Sequence, residues 1–344
     1  MADAAIAVNG AFVGQRVTGQ QRYAREITDR LVQRDDVELV VPSEATRDSS
    51  LRSWLWALGP LPLVTRRKTL LSLTSRAPLR HPRHVVVVHD LFVLTDPQWY
   101  SSRYVATHAP ALRTTLRSAA HVVTVSQPVA DQVLASGLTT APVSVAPNAP
   151  SVVFGRDPAV RPLPLGLREG EFLLVVGSLD PRKNLPTLLS AYATLPPEVR
   201  RRVPLVVVGG SSAVYRQARL DPVEGVVLAG YLDDETLSSL YSRARGVVFP
   251  SFAEGFGLPL VEAALAGARV AASDIPVFRW IAGDHPVYFD PHERDSVADA
   301  LKVLLEEDPV VGTAFAEAVT SRFSWDSSAA VVGEACRSVS GTHG

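Results

Sequence analysis

The chain has 344 residues, enough for two domains of about 150 to 180 residues each. It is 47% hydrophobic and 20% charged, the balance of a globular protein with large cores. Its one cysteine, Cys336, excludes an internal disulfide framework and a cysteine-based zinc site, and agrees with a reducing cytoplasm. The net charge of −1 is uneven: residues 1–165 carry 18 basic against 12 acidic side chains, the rest 16 against 23. The basic first half either faces an anionic lipid surface or a phosphorylated acceptor, or reflects coding bias alone. A nucleic-acid partner is not expected. The start lacks a signal core, and no apolar run approaches the roughly 18 residues that span a bilayer. A cytoplasmic protein is expected, with peripheral contact at the inner membrane face as the further option.

In chain order, AAIAV (4–8) reads as a buried strand. A loop with Asn9, Gly10 and Gly14 follows. Thr18-Gly19 then opens a helix with Tyr23, Ile27 and Leu31 on one face. Strand, glycine loop and helix form a place where backbone amides favour a phosphate. GAFVG is not the dinucleotide fingerprint, so an NAD site is poorly supported. VELVV (37–41) is a second strand. In 51–80, Trp54, Trp56, Leu58, Leu61 and Leu63 lie beside Arg66, Arg67 and Lys68. That stretch either touches a membrane or lipid acceptor, or the tryptophans are core and Pro60 and Pro62 mark an ordinary connection. The second reading is the simpler.

HVVVVHD (84–90) is a strand ending in His89-Asp90, where polar side chains of an α/β sheet meet a ligand crevice. A helix over 101–118, a strand at HVVTVS (121–126), a helix after Pro128 and a strand at VSVAPN (143–148) complete the first half. Residues 149–170, with Pro150, Pro158, Pro162 and Pro164, read as the domain junction.

Alternation restarts with FLLVVG (172–177). The loop Ser178 to Asn184 places Arg182 and Lys183 side by side before a helix from Leu185, with Asn184 as its expected N-cap. Adjacent cations at such a turn suit a diphosphate; the plain alternative is a solvated pair. PLVVVGG (204–210) and VVLAGYL (226–232) are strands, and Asp233 and Asp234 open a helix through Tyr241. GVVF (246–249) leads into PSFAEGFGLPLVEAALAG (250–267). Two glycines, Gly255 and Gly257, precede a helix opened by Leu258-Pro259. Glu254 lies in the loop and Glu262 about one turn into the helix, with seven residues between them. That helix is apolar nearly all round, so Glu262 needs a partner. RVAAS (269–273) and VYFDP (287–291) are the last strands. Two helices follow, and FSWDSSAAVVGEAC (323–336) is a final amphipathic helix.

The run from Pro250 to Gly267, together with Arg182-Lys183-Asn184, resembles the signature of retaining nucleotide-sugar glycosyltransferases of the GT-B fold. Glycosyltransferase family 4 is the group it is most similar to, and the likeness spans nearly the whole chain. It implies two Rossmann-like α/β domains facing across a cleft: an acceptor-side domain at 1–155, a nucleotide-sugar domain at 165–322, and a helix at 323–344 returning to the first.

By the same resemblance, Glu254 contacts the donor sugar and Glu262 the ribose, while Gly255, Phe256, Gly257 and Leu258 line the donor. Arg182 and Lys183 neutralise the diphosphate, Tyr231 packs on the base, Gly19 neighbours the phosphate, and His89 lies beside the reacting sugar. The family's second loop glycine is Gln21 here, Ala149 replaces another glycine, and Phe278-Arg279-Trp280 replaces a segment that often carries Glu. The chain has no Asp-x-Asp, so neither a metal nor another cofactor is expected. The implied reaction moves a sugar from a nucleotide diphosphate donor, GDP-mannose being one candidate, to a hydroxyl of a glycan, lipid-linked glycan or small molecule. Two other readings stay open: an epimerase or phosphorylase on the same fold, and a non-catalytic partner subunit.

Overall fold

The computed structural model describes residues 5–15, 17–47, 49–155, 161–210, 214–216, 221–306 and 313–341. Ala4 of the first expected strand, Pro158 of the expected junction, and residues 342–344 lie outside them.

Runs rich in Val, Leu and Ile form short strands, the central ones buried on both faces as parallel sheets require and the edge strands part-buried. In the first half they are β1 (Ile6–Asn9), β2 (Val37–Val40), β3 (Thr69–Ser72), β4 (His84–Val88), β5 (His121–Thr124) and β6 (Val143–Val145). These pair in parallel in the order β2-β1-β3-β4-β5-β6. β3 is absent from the sequence reading. TLLS has only four residues and no alternation, yet all four are buried between β1 and β4.

The second half contributes β7 (Leu173–Val176), β8 (Leu205–Val208), β9 (Val226–Gly230), β10 (Gly246–Phe249), β11 (Val270–Ser273) and β12 (Val287–Phe289). They too pair in parallel, in the order β12-β11-β10-β7-β8-β9. Starting from β7, one run of strands builds outward through β8 and β9 and the other through β10, β11 and β12. The direction of winding therefore reverses between β7 and β10. In an open α/β sheet this reversal splays apart the loops that follow the two strands.

Contacts divide the chain into two compact units: 1–97, 102–148 and 323–344, and 98–101 with 149–322. In the first, Val86, Leu116, Val122 and Val129 form a core. The final helix, Trp325–Gly341, packs on the helix Gly19–Leu31. Arg30 meets Asp326 at 2.6 Å, and Ser328 Oγ donates to the Pro147 carbonyl at 2.6 Å. In the second unit, Leu173, Leu188, Tyr192, Val207 and Leu301 share one core. The short segment 98–101 belongs to it through backbone hydrogen bonds between Ser101 and Val214 and between Arg216 and Trp99.

Candidate active site

The loops after β7 and β10 leave the two strands at which the second sheet reverses. Each delivers charge to the same place. The β7 loop turns through a single 3-10 turn, Pro181–Lys183. The β10 loop runs from Pro250 to the helix Leu258–Leu265. Their backbones are joined by Phe252 N–H donating to the Arg182 carbonyl at 2.9 Å.

Glu254 is the hub. Its carboxylate accepts from Arg182 Nη1 at 2.6 Å, Lys183 Nζ at 2.6 Å and Ser251 Oγ at 2.7 Å. The side chains of Arg182, Lys183 and Glu254 are only 11%, 13% and 8% exposed, so this is a buried ion triad and not a solvated pair. Burial alone would raise the Glu254 carboxyl. The charges of Arg182 and Lys183, with hydrogen bonds from Lys183 and Ser251, overcome it and hold the group at about 2. Lys183 reaches this place by running its stem across Gly177. A Cβ on Gly177 would stand 3.0 Å from Lys183 Cε, so the glycine leaves the lane open. A small cavity between the loops is lined by Gly177, Ser178, Lys183, Leu185, Pro250 and Ser251.

Asp180 lies beneath the triad, 1% exposed. One carboxylate oxygen takes the Ser178 hydroxyl and stands 3.8 Å from Arg182, while Oδ1 has no hydrogen-bond partner. Asn184 stands at the expected N-cap position of the helix Leu185–Ala193 but makes no side-chain cap, its backbone being left-handed at φ 53°. Its amide instead donates to the Pro291 carbonyl at 2.8 Å, tying the β7 loop to the end of β12.

Glu262 is 6% exposed on the helix Leu258–Leu265 and accepts from the Tyr241 hydroxyl at 3.4 Å. That helix starts from Gly257, at φ 90°. A Cβ there would also lie 2.8 Å from Phe278, so both backbone and packing demand glycine. Among the described residues no group of three or more His, Cys, Asp or Glu side chains could hold a metal ion.

Three comparisons bear on this arrangement. Residues 165–318 match the family model for glycosyl transferases group 1. The chain is 30% identical over 266 residues to O-antigen chain mannosyltransferase B of Escherichia coli, covering 72% of this chain and 68% of that protein. The chain belongs to the group 1 glycosyltransferases. Among solved structures, sucrose-phosphate synthase from Thermosynechococcus elongatus superposes with a TM-score of 0.73 at 19% identity, covering 97% of this chain and 98% of that one. HepE from Anabaena in complex with UDP-glucose gives 0.70 at 17% identity, with 97% and 99% covered. The fold is therefore GT-B.

In this glycosyltransferase the remaining predicted residues are placed as follows. Gly255 is part-buried, and Phe256 is buried edge-on to Trp280 at 6.2 Å. Leu258 opens its helix and is part-buried. Tyr231 stands 66% exposed at the end of β9, the edge strand two places from β7. Arg279 is engaged within the second unit, pairing with Asp274 at 2.7 Å and lying over the Tyr288 ring.

Gly19 and His89 belong to the first unit. Gly19 is the first residue of the helix Gly19–Leu31, whose N-cap Thr18 makes no side-chain cap. Gln21, in place of the second family glycine, accepts from the Thr18 hydroxyl and donates to Gln15 at 3.0 Å. His89 Nε2 lies 2.9 Å from the Leu73 carbonyl, and Tyr23 meets the ring edge-on at 5.3 Å. A carbonyl only accepts, so Nε2 carries the proton and Nδ1 is an acceptor. Burial pushes the imidazole down to about 4, against the opposing effect of that hydrogen bond, so the ring is neutral at pH 7. Sequence reasoning missed Ser251, Asp180 and Tyr241. Only Ser251 left a signal: a hydroxyl three residues before a loop glutamate.

Proposed function

We propose that this glycosyltransferase moves a hexose, mannose being the first candidate, from a nucleoside diphosphate sugar to a hydroxyl of a glycan or lipid-linked glycan. The observation that carries this reading is the triad of Arg182, Lys183 and Glu254 at the β7/β10 reversal, the position where such sheets bind ligands. The mannosyltransferase relative supports the sugar, and the neighbour bound to UDP-glucose supports the donor class.

The hard part of the reaction is charge building on the departing diphosphate while the sugar becomes cationic. Arg182 and Lys183 stabilise that charge from a dry, preorganised position. On donor entry Glu254 exchanges its cations for sugar hydroxyls, and Glu262 takes the ribose. Gly255, Phe256, Gly257 and Leu258 line the donor and Tyr231 meets the base. In the first unit, the Gly19 amide neighbours phosphate, and neutral His89 accepts from a sugar hydroxyl through Nδ1. We further propose retention of configuration of the family 4 kind, with same-face attack and the diphosphate helping to take the acceptor proton. Side-chain cations stand where a metal would otherwise act. No helix among the described residues is long and apolar enough to cross a membrane; we propose action in the cytoplasm, at the inner membrane face.

A thermal-shift screen with UDP, GDP, ADP and TDP, with and without EDTA, tests the reading. One diphosphate at about 100 times its Kd should add roughly 2.7 kcal/mol of stability in both conditions. Silence from all four, or strict dependence on Mg²⁺ or Mn²⁺ for turnover, overturns it.

A further inference from the structure

The helix Ser50–Leu58 packs part-buried Trp56 against Leu61 and Leu70, yet leaves its leucines outside. Its inward positions hold small residues, Ser53 at 1% and Ala57 at 0% exposed. Its leucines face solvent: Leu51 at 69%, Leu55 at 58% and Leu58 at 41%. These lie at i, i+4 and i+7, so they form one stripe. The next helix, Pro60–Val64, anchors itself through buried Leu61 and presents Leu63 at 70% and Val64 at 62%. The sequence reading grouped Trp54, Trp56, Leu58, Leu61 and Leu63; the tryptophans are part-buried and Leu61 is buried, while Leu58 and Leu63 stand in solvent. A free surface stripe normally carries charge, and an exposed apolar patch marks an interaction site.

The chemistry around the stripe selects the partner. From Ser49 to Lys68 there is no carboxylate, and four residues are basic. Lys68 pairs with Glu38 at 2.9 Å. Among the described residues, Arg52, Arg66 and Arg67 pair with no carboxylate, and all three are exposed. A complementary surface must accept aliphatic side chains and carry negative charge beside them. A bilayer with anionic headgroups does both, because leucines enter the acyl boundary while guanidinium groups stay among the phosphates.

We propose that the face formed by Leu51, Leu55, Leu58, Leu63 and Val64, rimmed by Arg52, Arg66 and Arg67, seats the protein on an anionic phospholipid membrane. The proposal deepens the peripheral-membrane part of the proposed function and is independent of its donor chemistry. The test is co-sedimentation with vesicles of phosphatidylcholine alone and of phosphatidylcholine with phosphatidylglycerol, at low and high salt. The protein should sediment with the anionic vesicles, less so at high salt, and not with the neutral ones. Leu55→Glu/Leu63→Glu should weaken binding at least about tenfold. Arg66→Ser/Arg67→Ser should weaken it roughly 30-fold. Each variant should keep the wild-type thermal shift with nucleoside diphosphate, which separates loss of docking from loss of fold or donor site. No sedimentation of the wild type, or equal sedimentation of the leucine variant, overturns the proposal. So does a dimer in light scattering that the leucine variant dissolves in the absence of vesicle binding, since a second copy would then cover the face.

Discussion

Replacing Glu254 by Gln keeps shape and removes the one negative charge shared by Arg182 and Lys183. Its carboxyl lies at about 2 in place of an ordinary 4.5, because two cations and two hydrogen bonds outweigh its burial. That difference corresponds to about 3 kcal/mol favouring the ionised, folded form. The folded value is the lower one, so the contribution is full above pH 4.5 and is lost as pH falls toward 2. At pH 7 the variant should therefore lose about 3 kcal/mol, or roughly 6 to 12 °C in the melting of the second unit. Denaturation followed by tryptophan fluorescence reads it, since Trp280 lies in that unit. A cycle with Lys183→Met isolates the pair: the double variant should lose less than the two single losses together, by about 1 to 3 kcal/mol. Ligand affinity should move the other way. A diphosphate no longer competes with Glu254 for the two cations, so the variant binds nucleoside diphosphate more tightly while its sugar transfer falls. Strict additivity in the cycle, or weaker diphosphate binding, would refute the reasoning.

Gly257→Ala forces a Cβ onto a backbone at φ 90° and into Phe278, and should cost roughly 2 to 4 kcal/mol by thermal melting; an unchanged midpoint would show that the loop repacks freely. His84, fully buried at the head of β4, is pushed down to about 3 by burial first and by His81 second. Below pH 6.5 the unfolded chain takes a proton that the folded one refuses, so this residue alone should remove about 1.2 kcal/mol between pH 7 and 5.5. His89, also pushed down, acts in the same direction. A flat stability profile over that interval would contradict both assignments.

The central strands were readable because two-sided burial favours runs of Val, Leu and Ile. HVVVV, LVVV and GVVF announce themselves, whereas TLLS looks like the leucine-rich chain around it. The paired glutamates and the Arg-Lys step were visible as unusual residue types at strand ends. Their partnership was not, since Arg182 and Glu254 are 72 positions apart and meet only because winding reverses between β7 and β10. Asn184 illustrates the limit of a local rule. Asn before a helix normally caps it, but here left-handed backbone turns the amide toward Pro291, and long-range closure of the loop overrides the cap. The leucine stripe shows a related limit: pattern alone tells that one face is apolar, not which side the neighbouring strands take.

The two sheets use their reversal points differently, and this bears on which changes alter which property. In the first sheet the reversal lies between β1 and β3, and its polar groups fasten backbone. Asn9 donates to Ser72 Oγ at 3.2 Å and to the Arg76 carbonyl at 2.7 Å, and His89 holds the Leu73 carbonyl. All are neutral and short in reach, so they fix the shape of the loops and contribute little field. In the second sheet the reversal collects Asp180, Arg182, Lys183 and Glu254, where charge dominates and shape follows from it. Anion affinity should thus respond steeply to side-chain substitutions after β7 and β10, and after β1 chiefly to changes that displace the Gly19 amide.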